Sequence, residues 1–202
     1  LHDLKQRAQL TMKDMNALAD ADAFAALAGH RRDAMWTTLG TDNLTPLLRG
    51  TQAQERQPSL LPPTEGEDVV ADYAHVGLTL RSHPLKLLRP ALSKLKLRAS
   101  NEIQQSRPGQ LMRTTGIVIN RQRPDTASGV VFATLEDEYG LINITVWRSV
   151  AERYRIALTQ ARLLTVYGTI ERDATTVYVV AGRLVDHSNL LGGLATSSRD
   201  FH

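Results

Sequence analysis

The sequence predicts an α+β chain, with helices in its first half and a small β-barrel in its second. Residues 1–39 and 67–98 carry apolar side chains at helical spacing, whereas residues 107–187 contain five short runs rich in Val, Ile, Thr and Tyr. A helical segment lies between the third and fourth runs. Five strands with a helix at that place are typical of the OB-fold, a Greek-key barrel that often binds single-stranded nucleic acid. Residues 40–66 are predicted to be a linker, and residues 188–202 a C-terminal tail.

Short helices are expected in residues 1–39, which we interpret as the end of a helix-hairpin-helix region. Thr11 is a favourable N-cap for the second of these helices. The turn before it contains no glycine, so this hairpin is expected to pack against other helices and not to bind phosphate. Gly29 is expected to end a helix. The next helix is expected to turn three side chains inward: Ala34, Met35 and Trp36.

Two histidines and two prolines mark the ends of predicted helices. His30 lies beside two arginines but has no second candidate ligand nearby, so we expect a plain surface histidine and no metal site. His83 is expected to be structural. Pro84 suits the first turn of a helix, whereas Pro90 is expected to kink or break it. Upstream, an apolar stripe is expected at Val69, Val70, Tyr73 and Val76.

The barrel prediction places turns, a helix and two bends between its strands. The helix spans residues 150–158, with Ser149 as its N-cap. Gly116 and Gly168 lie inside strand patterns, where glycine often marks the bulge or bend that rounds a barrel corner. The strands are predicted at residues 111–119, 130–135, 142–147, 163–170 and 177–185.

The composition limits the possible locations and the possible chemistry. The chain of 202 residues has no cysteine, which excludes disulfides and thiolate metal sites. No apolar run approaches the roughly 20 residues that span a bilayer, and the first residues do not resemble a secretory signal. We therefore predict a cytoplasmic protein with no membrane partner. Because the sequence does not begin with methionine, we expect a fragment of a longer protein.

The charge distribution favours a phosphate partner more than the net charge does. The formal net charge is only +3. Basic residues nevertheless form two runs without acids, one before the barrel and one in its first strand, and such runs can neutralise phosphates or merely keep a surface solvated. The first run comprises Lys86, Arg89, Lys94, Lys96 and Arg98, and the second Arg107, Arg113, Arg121 and Arg123.

Aromatic side chains near these arginines are candidates for stacking on bases. Single-strand binders combine a basic groove with aromatic platforms, although an aromatic residue in a barrel is often simply core. Tyr178 is a further stacking candidate. The acids at residues 136–138 are expected to form a turn, and no catalytic or metal-binding role is predicted for them. The predicted nucleic-acid contacts are Arg113, Arg121, Arg123, Phe132, Tyr139, Trp147, Arg148 and Tyr167.

Four ordered segments identify a family resemblance that covers nearly the entire chain. They are residues 21–36, 72–84, 126–140 and 198–202, and the third contains Phe-Ala-Thr-Leu-Glu-Asp at residues 132–137. That hexapeptide alone occurs in many OB-folds, but the ordered set is far more specific. Together the segments resemble the C-terminal part of bacterial C-family DNA polymerases, and in particular the error-prone, DNA-damage-induced branch of the DnaE-type α subunits.

The resemblance implies a function for the parent protein. That function is template-directed DNA synthesis across damaged bases, a translesion role in DNA repair and replication that uses Mg²⁺ and dNTPs. The catalytic aspartates of the family lie in a palm domain far upstream, and no part of this chain matches it. No catalytic residue and no cofactor is therefore assigned to this segment, which is expected to be an accessory region whose OB domain contacts single-stranded template DNA.

Two alternatives to this function are also compatible with the sequence. One is a docking module for a translesion assembly, whose expected members are a catalytically inactive Y-family-like protein and the sliding clamp. The segment Gln57, Leu60 and Leu61 resembles a degenerate clamp-binding pentapeptide, with leucine where an aromatic residue is usual. The other alternative is a tRNA- or single-stranded-DNA-binding OB protein with a helical appendage.

Overall fold

The structure, a computed structural model, describes residues 1–41, 60–124, 129–173 and 176–193. Gln57, most of the predicted linker and residues 194–202 of the predicted tail lie outside the described residues. The chain forms two compact units, Leu1–Arg81 and Ser82–His202. No helix in the described ranges has the length and apolar character of a membrane span.

The first unit consists of short helices with well-formed N-termini. The helices are α1 His2–Arg7, α2 Met12–Asp20, α3 Ala25–Ala28, α4 Arg31–Gly40 and α5 Glu65–His75. Thr11 caps α2 as predicted, because its hydroxyl accepts the Asp14 N–H while the Asp14 carboxylate accepts the Thr11 N–H. Thr64 and Glu67 form the same reciprocal pair at the start of α5.

The small apolar core of this unit corrects one sequence prediction. Ala34 is fully buried, but Met35 and Trp36 are exposed and do not turn inward. A helix advances about 100° per residue, so the two residues after a buried position lie on other faces. The buried face of α4 instead continues at Arg31 and Thr38. The core cluster comprises Met15, Ala19, Phe24 and Ala34.

Charged side chains fill the place where the sequence predicted an apolar stripe on α5. Asp68, Val69 and Asp72 are the buried residues of this helix, while Tyr73 and Val76 are exposed. The Arg31 guanidinium donates to the Asp68 carboxylate at 3.0 Å and also to Asp72. Burial raises the pKa of Asp68, and the positive charges of Arg81 and Arg31 oppose that rise. Val69 is buried as predicted and Val70 is half-buried, but the stripe does not extend to Tyr73 and Val76, because the paired charges of Asp68 and Asp72 share the buried face.

His30 is not a plain surface histidine. Its Nδ1 accepts the Asp33 N–H at 3.2 Å, so His30 caps α4. Its Nε2 lies 3.2 Å from the carbonyl oxygen of Leu60.

The second unit is a closed five-stranded barrel with helices at its ends. The strands are β1 Leu111–Gln122, β2 Val131–Asp137, β3 Gly140–Val146, β4 Leu163–Asp173 and β5 Thr176–Asp186; the helices are α6 Pro84–Lys94, α7 Ser100–Gln104, α8 Arg148–Arg153, α9 Arg155–Gln160 and α10 Asn189–Gly193. The strand order around the barrel is β1-β2-β3-β5-β4, and β3 and β5 form a parallel pair. This topology and the helical N-terminal part confirm the predicted fold class.

The helices of this unit differ from those predicted from the sequence in two places. Pro90 lies inside α6 without ending it, and the helix continues to Lys94. His83 is structural, as predicted, because its Nδ1 accepts the Leu85 N–H at 3.1 Å. The predicted helix of residues 150–158 is two helices that meet at Tyr154, and the first has Trp147 as its N-cap residue instead of Ser149.

Both predicted barrel glycines lie at close backbone approaches. A Cβ atom on Gly116 would lie 2.7 Å from the Leu135 Cβ and 2.9 Å from the Glu136 carbonyl oxygen. A Cβ atom on Gly168 would collide with the Val180 carbonyl oxygen. The β4–β5 register shifts between Tyr167 and Gly168, which confirms the predicted bulge there.

Candidate nucleic-acid interface

Strand alternation builds an outward-facing row of side chains across the barrel. Ile142, Ile144 and Val146 are buried as predicted, whereas Asn143 is exposed and Thr145 half-buried. The strand registers place Gln122 opposite Phe132, Phe132 opposite Thr145, and Thr145 opposite Val180. We call this set, Gln122, Phe132, Thr145 and Val180, the Phe132 row.

Two exposed aromatic rings flank this surface. Phe132 retains 43% of its accessible area and Trp147, just after β3, retains 56%. An isolated exposed ring has no packing reason to be aromatic, and both rings can stack on bases. The face formed by strands 2 and 3 is also the surface that OB-folds use for oligonucleotides.

Arginines gather beside the row, at the loop between β1 and β2. A Cβ atom on Gly129 would lie 3.1 Å from the Arg148 Cδ and 3.5 Å from an Arg123 Nη. An open cavity of about 240 Å³ lies here, and Arg121 and Arg155 also line it. Arg148 donates to Glu152 at 2.8 Å, and this hydrogen bond raises the pKa of Arg148.

Arg121 has a structural task that the sequence did not reveal. Its guanidinium donates to the Leu158 carbonyl oxygen at 2.5 Å and to that of Ala161, at the C-terminal end of α9. Burial lowers the pKa of this guanidinium, and the charge of Asp186 opposes that change. Arg121 therefore fixes α9 to the barrel, which leaves fewer of its donors for phosphate than the sequence prediction assumed.

Arg113 and Tyr167 lie on a different face, formed by β1, β4 and β5. Arg113 is opposite Tyr167, and Tyr167 is opposite Arg183. The Cζ atoms of Arg113 and Arg183 lie 5.5 and 5.2 Å from the centre of the Tyr167 ring. Arg183 was not predicted from the sequence, because only the register of β4 and β5 brings it beside Tyr167.

Tyr139 lies apart from both groups, in the turn that joins β2 to β3. Phe132 is five residues from the end of β2 at Asp137, which is about 17 Å of extended strand. The structure thus divides the eight predicted contacts. Arg121, Arg123 and Arg148 line one cavity, Phe132 and Trp147 are exposed on β2 and just after β3, Arg113 and Tyr167 form a second group, and Tyr139 is separate.

The acids of this turn are engaged in holding the barrel to the helices. The Asp137 carboxylate accepts the Ser100 N–H and hydroxyl, each at 2.6 Å, and the N–H groups of Tyr139 and Gly140. The Glu138 carboxylate accepts hydrogen bonds from the Nε and an Nη of Arg89, at 2.5 and 2.6 Å. These carboxylates have protein partners already, so they do not suit Mg²⁺. Across the described residues, no group of three or more His, Asp or Glu side chains is arranged to hold a metal ion.

Two residues of the predicted docking segment are described. The carbonyl oxygen of Leu61 accepts from Arg32 at 2.9 Å, while the Leu61 side chain is 76% exposed. Leu60 is half-buried and its carbonyl oxygen contacts His30. The backbone at Leu60 and Leu61 is therefore attached to α4, with the Leu61 side chain directed into solvent.

The barrel matches a known family of domains. Residues 112–186 fit the family described as "OB-fold nucleic acid binding domain". This match and the closed five-stranded topology together define the class of the second unit as an OB-fold.

The whole chain has close relatives among the DNA polymerases. It is 48% identical over 202 residues to an error-prone DNA polymerase of Alkalilimnicola ehrlichii, and 45% identical over 203 residues to one of Pseudomonas aeruginosa. Each match covers 100% of this chain and 20% of the relative. Over its whole length the chain is similar to error-prone DNA polymerases, and the matched part is the C-terminal region of a DnaE-type enzyme. It spans about one fifth of the length of the curated relatives that it matches.

Solved structures show weaker similarity. An asparaginyl-tRNA synthetase from Pyrococcus horikoshii is 19% identical, with 45% of this chain and 22% of that chain covered and a TM-score of 0.39. A replication protein A heterotrimer bound to single-stranded DNA is 18% identical, with 45% and 69% covered and a TM-score of 0.32. Likeness at these TM-scores does not bear on function.

Proposed function

We propose that this chain is the accessory C-terminal region of an error-prone DNA polymerase that acts in translesion synthesis, and that its barrel contacts single-stranded template DNA. The observation that carries the proposal is the exposed pair Phe132 and Trp147, with Arg148 next to Trp147 in the chain and Arg123 next to Gln122, the strand partner of Phe132. Two stacking platforms beside positive charge are what single-strand binding requires. Catalysis, with its Mg²⁺ and dNTPs, belongs in this proposal to the parts of the relatives that the chain does not cover.

The roles of the contact residues follow from their chemistry. Phe132 and Trp147 stack on bases, which is worth about 1–3 kcal/mol per base and tolerates any sequence. Arg123 pairs with phosphate, and Arg148 does so after exchanging its exposed partner Glu152. Such an interface reads no sequence, which suits an enzyme that must follow a template through damaged bases.

A binding titration tests this proposal. Fluorescence anisotropy is measured with labelled single-stranded DNA of about 12 nucleotides, within the usual site size of an OB-fold. Phe132→Ala and Trp147→Ala are expected to weaken binding roughly 5- to 150-fold each. Arg123→Ala is expected to flatten the dependence of log K on log salt by about 0.7, the value for one single-strand phosphate.

Tyr139→Ala is the matched aromatic control for this titration. Tyr139 is 60% exposed, but its place in the β2–β3 turn predicts unchanged affinity. If Phe132→Ala and Trp147→Ala bind DNA as the unmodified chain does, this face is not the template surface.

A second candidate function is protein docking, and the Leu61 side chain favours it. An exposed leucine on a backbone attached by Arg32 and His30 is presented in a defined orientation, so less ordering is needed when a partner binds it. The proposed partners are the sliding clamp and the inactive Y-family-like translesion protein. Retention of Leu60→Ala and Leu61→Ala variants on immobilised clamp, at the level of the unmodified chain, would remove this segment from consideration.

A further inference from the structure

The Phe132 row does not end at β5. Val180, its last member, lies opposite Thr169 of β4, and Thr169 lies opposite Leu111 of β1. The same outward-facing line therefore continues from Phe132 around the barrel to Leu111. Neighbouring strands are about 4.8 Å apart, so Phe132 and Thr169 are separated by about 14 Å across three strand pairs.

An open groove lies where this line reaches β4. Its volume is about 610 Å³, and Leu111, Tyr167, Thr169 and Val180 are among its lining residues. Gly182 contributes no side chain at its wall, and Leu111 contributes an exposed apolar rim. The groove is open to solvent, which suits an extended polymer better than an enclosed small molecule.

Arg113 and Arg183 provide the charge of this groove. Their guanidinium groups share the Tyr167 ring, and within the described chain neither has a carboxylate partner. By contrast, Arg31, Arg81 and Arg89 are all paired with acids. A ring contact orients a guanidinium without neutralising it, so both cations remain available to an anion. Because the arginines already flank the ring, the groove is built to bind phosphate and not to stack a base.

We propose that the Arg113, Tyr167 and Arg183 cluster is a second phosphate-binding site, which holds the sugar–phosphate backbone of a single strand that has crossed the Phe132 row. The inference rests on the proposed function and extends it from one face of the barrel to a path around it. It assigns Arg183 a role, and it explains why Arg113 and Tyr167 lie away from the other predicted contacts. The strand stacks at Phe132 and Trp147, crosses Thr145 and Val180, and is held by phosphate contacts at Arg113 and Arg183.

Oligonucleotide length provides the test. The affinity of the 202-residue chain is measured for single strands of about 3 and about 16 nucleotides, the longer one being the upper end of OB-fold site sizes. Arg113→Ala/Arg183→Ala is expected to leave the short strand unaffected, because about 3 nucleotides at about 3.4 Å each span roughly 10 Å and do not reach from Phe132 to the second site. With the long strand, binding is expected to fall on the order of tenfold, and the salt slope is expected to flatten by about 0.7 for each phosphate that is no longer neutralised.

Two further variants test whether a loss of affinity depends on the positions of Arg113 and Arg183 or only on the loss of positive charge. Arg153→Ala/Arg162→Ala removes the same charge from exposed arginines elsewhere in the unit, and Arg153 likewise lies 5.4 Å from a tyrosine ring. This control is expected to bind long strands normally. Arg113→Lys/Arg183→Lys retains the charge and is expected to recover most of the salt slope.

The outcomes distinguish this inference from the function on which it rests. If Phe132→Ala weakens both strands while Arg113→Ala/Arg183→Ala weakens neither, the proposed function stands and the second site is overturned. If the arginine variant weakens long-strand binding and Phe132→Ala has no effect, the second site stands and the Phe132 row does not. An unmodified chain that binds neither strand at low salt overturns both.

Discussion

Single residues in this barrel do their work through contacts that the residue type alone does not reveal. Asp137 looks like a member of an acidic turn, but its carboxylate accepts four hydrogen bonds and is fully buried. Arg121 looks like a phosphate contact, but it caps the end of α9. Their neighbours Arg123 and Tyr139 remain at the surface. Two residues of the same type, Arg121 and Arg123, therefore differ in role: contacts with α9 make Arg121 structural, whereas Arg123 stays at the surface and can bind a ligand.

Gly168 is predicted to be intolerant of a side chain. Because a Cβ atom there would overlap the Val180 carbonyl oxygen, Gly168→Ala is expected to lower the free energy of unfolding by about 1–3 kcal/mol. Gly182→Ala is the matched control, since its Cβ would lie in ordinary contact, 3.6 Å from the Tyr167 carbonyl oxygen. Urea unfolding followed by circular dichroism measures both, and equal midpoints for the two variants would contradict the prediction.

His83 is predicted to make stability depend on pH. Burial lowers its pKa from the ordinary value of 6.5, and the charges of Glu136 and Glu138 oppose that change only in part. The folded chain then binds this proton less tightly than the unfolded chain. The contribution of His83 is therefore fully present above about pH 6.5 and is lost as the pH falls through the lowered pKa.

Unfolding midpoints between about pH 5 and pH 7.5 measure this effect. His83→Asn replaces the cap with one that does not titrate, so the variant is expected to lose less stability on acidification than the unmodified chain. His2→Asn, at an exposed histidine, should leave the pH profile unchanged. Parallel profiles for His83→Asn and the unmodified chain would show that His83 does not cause the loss.

Ion pairs hold helices of the first unit together where the sequence predicted an apolar stripe on α5. Arg31 of α4 binds Asp68 and Asp72 of α5, and Arg81 binds Asp22 at 2.6 Å. Asp22, Arg31, Asp72 and Arg81 all fall in the segments that carry the family resemblance. In this unit the recognisable motifs thus mark an ion-pair network that fixes helices, and not a catalytic centre.

Arg31→Ala is predicted to destabilise this unit strongly. Removing one partner leaves the carboxylates of Asp68 and Asp72 buried with fewer compensating charges, which typically costs about 3–5 kcal/mol. Arg7→Ala removes an exposed partner of Asp3 and is expected to have no measurable effect. Limited proteolysis and urea unfolding measure both. Equal protease resistance of the two variants would mean that the network does not hold α4 to α5.

Across the whole molecule, the sequence predicts the barrel better than the helices. Strand alternation is local, so the burial of Ile142, Ile144 and Val146 follows directly from the pattern. The buried face of α5 does not, because Asp68 and Asp72 become core residues only through partners about 40 positions away. Local strand alternation likewise makes the exposure of Phe132 and Trp147 predictable. Arg183 is found only from the strand register, because its partner Tyr167 lies on another strand.

Each unit is predicted to stand alone, because each has its own core. A fragment of residues 82–202 is expected to unfold cooperatively and to bind single-stranded DNA with the affinity of the 202-residue chain, since every proposed contact lies within it. Thermal circular dichroism and anisotropy measure these properties. A folded fragment with clearly weaker binding would show that the helical unit contributes to the DNA contact.

The parallel pair of β3 and β5 has a consequence for assembly with other proteins. By closing the barrel, it gives every strand two neighbours. A closed sheet offers a partner's donor strand much less unpaired edge than an open one, and it also resists edge-to-edge aggregation. Proteins that join this region in a larger complex are therefore expected to recognise its side chains, its loops or its helical unit more readily than to add a strand to the barrel.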